Sequence, residues 1–522
     1  MRLHEESRRR EDLLLPLLLF ILTIITRVPF TSKLLYHSDS VHFALALEKY
    51  DITVHQPHPP GYFLYVMLGR ILNYFIRDAN NVFVCISILF SGLTVASIYY
   101  LGKEFYDRKT GVISAAIALT SPNLWFHGEV ALTYIVEAFF SAAIALISWR
   151  IYKGEHKYIW LSVIALGIAG GIRQNTMVFL LPLWLFSVRR VQIKKILLSL
   201  GLLGFVCLIW FLPMVYMTGG WNAYREAFRE LWLFNTGGLS VYKMGWSSFK
   251  IFSLLVFFFT AFGIGSGILI LLLVFYSLIR HGRLKFLDRT KVLFFSLWVI
   301  PSISFYLFIF IFPTNPGYVL IFLPTLFILI GASIGYMSTE LRQVMKKDIS
   351  AILALAIIIF NTGIFFLSNY PVSYREIKTH DQDISIMLAS IKTFDPLKTA
   401  IFVGPYTFFG YRHIMYYLPE YRVYQVDVRV APSGEARKTF WGLNKETFLS
   451  DEVIMPENIT NFISIHIGDD INKVTRIERL SIKKLEPTEI YIVSGNILFI
   501  KNIYPNLKIR FQNNNKDNKY EL

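Results

Sequence analysis

The groups in this chain that can do chemistry are a few carboxylates, a set of imidazoles and an arginine, all flanking apolar stretches. Asp39 stands in His37-Ser38-Asp39-Ser40, at the head of 39–50 (DSVHFALALEKY), where Val41, Ala44, Leu45 and Leu47 fall near helical spacing. An aspartate there is a candidate general base. It is equally a candidate helix cap, because Asp and Ser side chains satisfy the free N–H groups of a first turn. Downstream runs His55-Gln56-Pro57-His58-Pro59-Pro60-Gly61-Tyr62. Its prolines forbid a helix and stiffen the chain. His55, His58 and Tyr62 therefore sit on a rigid polar turn, suited to fixed binding groups or simply to capping a bundle. A second acidic cluster is Asn123-Leu124-Trp125-Phe126-His127-Gly128-Glu129, with Tyr134 and Glu137 following. A solvated turn accounts for Glu129. Glu137 falls inside an apolar stretch, where a carboxylate is costly and marks function by default, unless it is neutral and hydrogen-bonded. Arg173 and Gln174 follow Gly170-Gly171-Ile172. Glycines let backbone approach a ligand closely, and a guanidinium fork matches phosphate oxygens; snorkelling to a membrane interface is the competing use. Tyr318 ends a short turn, Pro313-Thr314-Asn315-Pro316-Gly317, and shares a face with Asn315. Asp39, His58 and Glu129, with His55 and His127 as further imidazoles, are candidate ligands for a divalent metal, although their spacings match no closed zinc motif.

Long apolar segments must position these groups. Hydrophobic residues make up 54% of the 522 and charged residues 17%, against about 25% charged in a soluble domain. That excludes a soluble enzyme, a disordered regulator and a secreted disulfide scaffold. Apolar runs at 13–30, 82–101, 111–126, 130–149, 158–172, 175–188, 196–217, 249–279, 292–312, 318–338 and 350–367 are of the length needed to cross a bilayer as helix. They predict about eleven transmembrane helices. The first, after Arg8-Arg9-Arg10, has no small-residue cleavage site behind it and reads as an uncleaved span. Cys85 and Cys207 lie in apolar runs and read as small buried residues. The long outer loop 31–81 is expected to carry two surface helices, at 39–50 and 61–76. In the other long loop, 218–248, Arg225, Arg229 and Lys243 suit lipid headgroups.

Beyond residue 367 the apolar runs shorten to strand length, at 399–403, 421–426, 462–467, 489–493 and 496–500, with a helix-like stretch at 405–418. This predicts a membrane domain over 1–367 and a small α/β domain over 368–522, ending in the polar, disordered tail QNNNKDNKYEL. The net charge of +16 sorts the topology. With the N-terminus cytoplasmic, the inner segments hold 22 Lys and Arg and the outer segments before 368 hold 10, the asymmetry of the positive-inside rule. The C-terminal domain then lies outside. Basic charge facing the cytoplasm is a topological signal and no argument for nucleic acid.

SDSVHFALAL after a first span, surface helices and QPHPPGY, and an acidic cluster after the third span together resemble the GT-C superfamily of membrane glycosyltransferases. Within it, the protein O-mannosyltransferases and lipid A aminoarabinose transferases are the most similar branches. The resemblance implies a multi-pass cell-membrane enzyme that takes a sugar from a polyprenyl- or dolichyl-phosphate donor. It passes the sugar to a glycan, lipid or protein acceptor on the outer face, inverting the anomeric centre. It implies Asp39 as base and Glu129 as a second acidic residue, orienting the acceptor or holding a metal. The mannosyltransferases carry an acidic pair where this chain has Asp39-Ser40, which argues against that branch and its protein acceptors. The chemistry itself needs one base and cationic groups on the leaving phosphate, and Arg173 is the candidate for the latter. His55, His58, Tyr62, His127, Tyr134, Glu137, Gln174 and Tyr318 complete the candidate substrate-binding set. A transporter or flippase is the competing class, but such folds carry internal repeats and midplane ionisable groups. Here no repeat is visible and the ionisable residues collect at the outer rim.

Overall fold

The computed structural model describes residues 2–239, 245–246, 286–309, 316–369, 371–404, 410–425, 452–473, 481–503, 508–512 and 519–521. Its helices begin with α1 (Arg2–Arg27), α2 (Ser38–Glu48), α3 (Phe63–Ile76), α4 (Ala79–Phe105), α5 (Arg108–Thr120) and α6 (Pro122–His127). There follow α7 (Tyr134–Tyr152), α8 (Ile159–Ile172), α9 (Gln174–Ser187), α10 (Ile193–Met217) and α11 (Trp221–Leu239). The last six are α12 (Arg289–Phe308), α13 (Leu323–Met345), α14 (Ser350–Leu367), α15 (Tyr374–Ile391), α16 (Tyr411–Tyr417) and α17 (Ile497–Ile503). Each expected span overlaps a helix except 249–279, which lies outside the described residues, as do 310–312 of the span 292–312. Among the described residues, five stretches, Leu13–Phe30, Ala79–Phe105, Tyr134–Tyr152, Ile193–Met217 and Ser350–Leu367, are long and apolar enough to cross a membrane. The expected span 111–126 is broken at Ser121, where Pro122 opens α6 at a position that needs no N–H donor.

The chain divides into two compact units. The larger comprises Met1–Ser32, Tyr62–Tyr216 and Trp232–Ile377. Here α4 is central, packed against α1, α5 and α7. A Cβ on Gly102 would fall 2.7 Å from the Cα of Gly111, so α4 and α5 cross where neither tolerates a side chain. Buried indoles are satisfied across helices: Trp298 donates to Ser141 Oγ at 2.6 Å and Trp184 to Ser162 Oγ at 2.8 Å. Leu13, Leu17, Leu197, Phe205, Leu212, Ile352 and Ile359 point outward, as a lipid-facing surface requires. Cys85 is on that exposed side, not buried as expected, and Cys207 is half-buried; at single positions an apolar run does not tell lipid-facing from core-facing residues.

The smaller unit comprises Lys33–Gly61, Met217–Leu231 and Lys378–Leu522. Most of the first outer loop thus packs with C-terminal residues, across the expected boundary at 367. The backbone N–H groups of Lys33 and Leu34 donate to the Asp381 carboxylate at 2.8 and 3.1 Å, and that of Leu35 to the Tyr417 hydroxyl at 2.9 Å. These are long-range ties that no local pattern announces. The strands are β1 (Thr399–Val403), β2 (Arg422–Gln425), β3 (Glu452–Pro456), β4 (Asn461–Ile467), β5 (Ser481–Lys484), β6 (Ile490–Gly495), β7 (Lys508–Gln512) and β8 (Lys519–Glu521). One sheet has the order β2-β1-β4-β6-β5, with β1 parallel to β2 and β4, and β6 antiparallel to β4 and β5. Strand β1 is buried on both faces, which explains its unbroken apolar run. Ile401 and Val403 pack under Ile384, Met387 and Ile391 of α15, and Ala400 and Phe402 face the opposite cluster with Ile500. A second sheet has the order β3-β7-β8.

Two expectations fail here. The run 496–500 forms α17, not a strand, because Asn496 accepts the N–H of Leu498 at 3.1 Å and starts a helical turn. Part of the polar tail is also ordered: Lys519–Glu521 pairs antiparallel with β7, setting Tyr520 opposite Phe511. Its Asn- and Lys-rich composition masked one short alternating strand.

Candidate active site

In the smaller unit, α2 presents Asp39 in its first turn, but Asp39 is not the cap. That role falls to His37, whose Nδ1 accepts the N–H of Asp39 at 3.0 Å, while Ser40 Oγ accepts the N–H of His37 at 3.3 Å. The reciprocal pair is a capping box with an imidazole in the usual Ser or Thr place. Because His37 Nδ1 accepts a hydrogen bond, it has no proton to give the Asp39 carboxylate 3.5 Å away. The Asp39 side chain, about a fifth exposed, is thus released from capping. Its Oδ1 lies 3.8 Å from His42 Nδ1, one helical turn on, and 3.6 Å from His58 Nδ1.

The proline turn supplies His58. A bridge between Asp51 and Gln56 closes it, with His55 in the left-handed region at φ 57°, and the Tyr50 hydroxyl donates to Gly61 O at 2.6 Å. The His42 ring stands 5.5 Å from that of His58 and 5.9 Å from that of His55. Arg412 of α16 anchors the turn by donating from Nη2 to Val54 O at 3.0 Å. Burial, then the positive charge of Arg412, holds the imidazoles of His42 and His55 well below the usual range. Burial likewise lowers His37, against the opposing pull of Asp39. All three rings are thus held toward the neutral form. Sequence reasoning missed His42 and Arg412. His42 was legible as the residue three positions after Asp39 on a helix, whereas nothing local marks Arg412.

In the larger unit a second set converges on Arg173, the residue before α9. Its Nη1 lies 3.5 Å from Glu137 Oε2, and Thr176 Oγ1 donates to Glu137 Oε1 at 2.9 Å. The guanidinium carbon sits 4.5 Å from the centre of the Tyr134 ring and 5.6 Å from that of Tyr318, within range for cation–π attraction. Tyr306 stacks on Tyr318 at 4.8 Å, and the His127 ring meets Tyr134 edge-on at 5.4 Å. Tyr62 is within electrostatic reach of Arg173. Gly317 packs directly on the Tyr134 ring, leaving no room for a Cβ. Five expected residues, His127, Tyr134, Glu137, Arg173 and Tyr318, thus form one buried cluster. Gln174, half-buried, points its Nε2 to Met214 Sδ at 3.8 Å. Tyr306 and Thr176 were not anticipated, because a Tyr or Thr in an apolar span carries no signal by itself. Among the described residues, the Nε–H of Arg173 has no hydrogen-bond partner.

Glu129 is fully buried. Its Oε1 accepts from Trp125 Nε1 at 2.6 Å, and its carbonyl accepts the N–H of Ser32 at 3.0 Å. Trp125 in turn lies under the guanidinium of Arg27 at 4.3 Å and stacks on Phe365 at 4.7 Å. Arg27 Nη2 donates to Leu119 O at 2.5 Å. Of the expected metal ligands, Asp39 and His58 come together with His42, while Glu129 has its partners in the other unit.

Residues 57–217, under a third of the chain, match the dolichyl-phosphate-mannose-protein mannosyltransferase family. That segment contains His58, Glu129 and Arg173 and excludes Asp39. No curated protein matches the sequence as a whole or in part. Among solved structures, ArnT from Cupriavidus metallidurans in the apo state is similar with a TM-score of 0.55 and 10% identity, over 95% of this chain and 99% of that one. The same protein bound to undecaprenyl phosphate gives 0.56 and 8%, over 94% and 99%. The chain therefore has a GT-C fold, a helical membrane-type body with a C-terminal sheet region, and this likeness of fold extends along its length.

Proposed function

We propose that this chain is an inverting membrane glycosyltransferase using a polyprenyl-phosphate sugar as donor, with Asp39 as the base. The observation that carries the reading is the Asp39 carboxylate, with His37 in the capping position, partly exposed and 3.6 and 3.8 Å from the imidazoles of His58 and His42. In the proposed step Asp39 takes the proton of an acceptor hydroxyl, whose oxygen bonds to the anomeric carbon from the face opposite the phosphate. The carbon–oxygen bond to phosphate breaks, and the polyprenyl phosphate leaves as an anion. Arg173, with a spare N–H in an aromatic enclosure, is assigned to that phosphate. His55, His58, Tyr62, His127, Tyr134, Gln174 and Tyr318 are assigned to substrate contacts, and Glu137 to holding Arg173. Glu129 is assigned a positioning role through Trp125. The donor class is supported by the undecaprenyl phosphate held by the similar ArnT fold.

The topology belongs to the same proposal: eleven spans, a cytoplasmic N-terminus, and residues 368–522 outside with the site. The excess of basic residues in the alternate connecting segments supports it. The acceptor is a glycan, lipid or protein hydroxyl. The test is sugar transfer by purified protein in lipid nanodiscs from an undecaprenyl-phosphate sugar, wild type against Asp39→Asn. Transfer by the wild type and its loss in the variant are expected. Full activity in the variant would remove the base assignment, and movement of intact lipid-linked sugar without transfer would make the chain a flippase.

A further inference from the structure

We infer that Asp39, His42 and His58 form a binding site for one divalent ion of the zinc type. Their ligand atoms, one from each side chain, all lie within 4.8 Å of one another. Two of these approaches, 3.6 and 3.8 Å between Asp39 Oδ1 and the Nδ1 atoms of His58 and His42, are too long for hydrogen bonds. They are close to the spacing of two ligands on a shared ion: tetrahedral ligands at about 2.1 Å from zinc stand about 3.4 Å apart. A contraction of a few tenths of an ångström brings each of these two pairs to that spacing, and the third pair, His42 and His58, lies within 4.8 Å. The local sequence builds this triangle by two independent devices. One turn of α2 puts Asp39 and His42 on the same face, and the rigid proline turn brings His58 to it from outside the helix.

The ligand set selects the ion. Two imidazoles with one carboxylate suit zinc or a neighbouring first-row metal and are poor for calcium or magnesium, which take oxygen. Three protein ligands with a partly exposed carboxylate leave a position open, as in sites that act on a substrate oxygen. Oδ1 faces both imidazoles and Oδ2 faces His37, so an ion on Oδ1 leaves Oδ2 to the acceptor hydroxyl. Arg412 acts electrostatically on His42 and opposes any cation, so the site depends on the negative charge of Asp39. The proposal concerns metal binding and does not require sugar transfer to be the reaction.

The full-length protein, stripped with chelator, reloaded with zinc and dialysed, is analysed for bound metal by mass spectrometry. The wild type is expected to retain about one ion per chain. His42→Ala, His58→Ala and Asp39→Asn are each expected to lose it at least about tenfold, while His156→Ala, in a turn of the other unit, keeps it. His42→Cys, which restores a zinc ligand, is expected to regain the ion, separating loss of a ligand from loss of fold. A metal-free wild type after reloading, or stoichiometric zinc in a His42→Ala/His58→Ala double variant, would overturn the inference. Either result leaves the transfer assay to speak for the proposed function by itself.

Discussion

The pair Arg173–Glu137 allows stability and donor binding to be separated. Both side chains are buried and 3.5 Å apart, which at an effective dielectric near 20 corresponds to about 5 kcal/mol of attraction. Removing one partner leaves the other charge buried without compensation, at a cost of about 3–5 kcal/mol. Arg173→Ala and Glu137→Gln should therefore both unfold at markedly lower temperature. A Glu137→Gln/Arg173→Met double variant removes both charges and keeps the volume, so most of the stability should return. Binding should follow a different order. If Arg173 meets the donor phosphate, a charge-assisted contact of about 1.5–3 kcal/mol is lost, or roughly 10- to 100-fold in affinity. That loss should persist in the double variant although its fold is restored, and acceptor binding should change less. The assays are thermal unfolding in detergent and titration with undecaprenyl phosphate. A stable double variant that binds the lipid phosphate as tightly as wild type would refute the assignment and leave Arg173 a structural counter-ion.

Other consequences follow from the same geometry. Gly317→Ala must displace the Tyr134 ring from under Arg173; losing a cation–π contact of about 0.5–2 kcal/mol predicts roughly 2- to 30-fold weaker donor binding in the same titration. His37→Ala removes the cap of α2 and should cost about 1 kcal/mol in thermal unfolding, most of which His37→Asn recovers. An equal loss in both variants would show that the cap is not what His37 contributes. His413, whose Nε2 contacts Leu35 O at 2.9 Å, is lowered to about 3 by burial. It is neutral when folded and titrates near 6.5 when unfolded, so its effect on stability is constant above 6.5. Below that the unfolded chain binds the extra proton, and stability falls by about 1.4 kcal/mol per pH unit down to about 3. Thermal unfolding at pH 7.5 and 5.5 should show this slope, and His413→Gln should reduce it.

The sequence alone determined the membrane helices, because a bilayer-length apolar run has few other fates, and it marked Asp39, His58, Glu137 and Arg173 as groups needing explanation. It left Asp39 divided between cap and base, because a helix start looks the same whichever side chain supplies the cap. Only the three-dimensional arrangement shows which side chain caps the helix, with His37 in the capping position. Likewise Glu137 and Arg173 lie 36 residues apart in the chain, and their pairing is a fact of helix packing alone. The C-terminal domain held the largest surprise. Composition separates it from the first outer loop, yet Arg412 and Asp381 bind that loop's backbone. Periodicity and propensity report on neighbours a few residues apart. Contacts between 33–61 and residues beyond 378 depend on which distant donors and acceptors the fold brings together, and that lies outside what local pattern encodes.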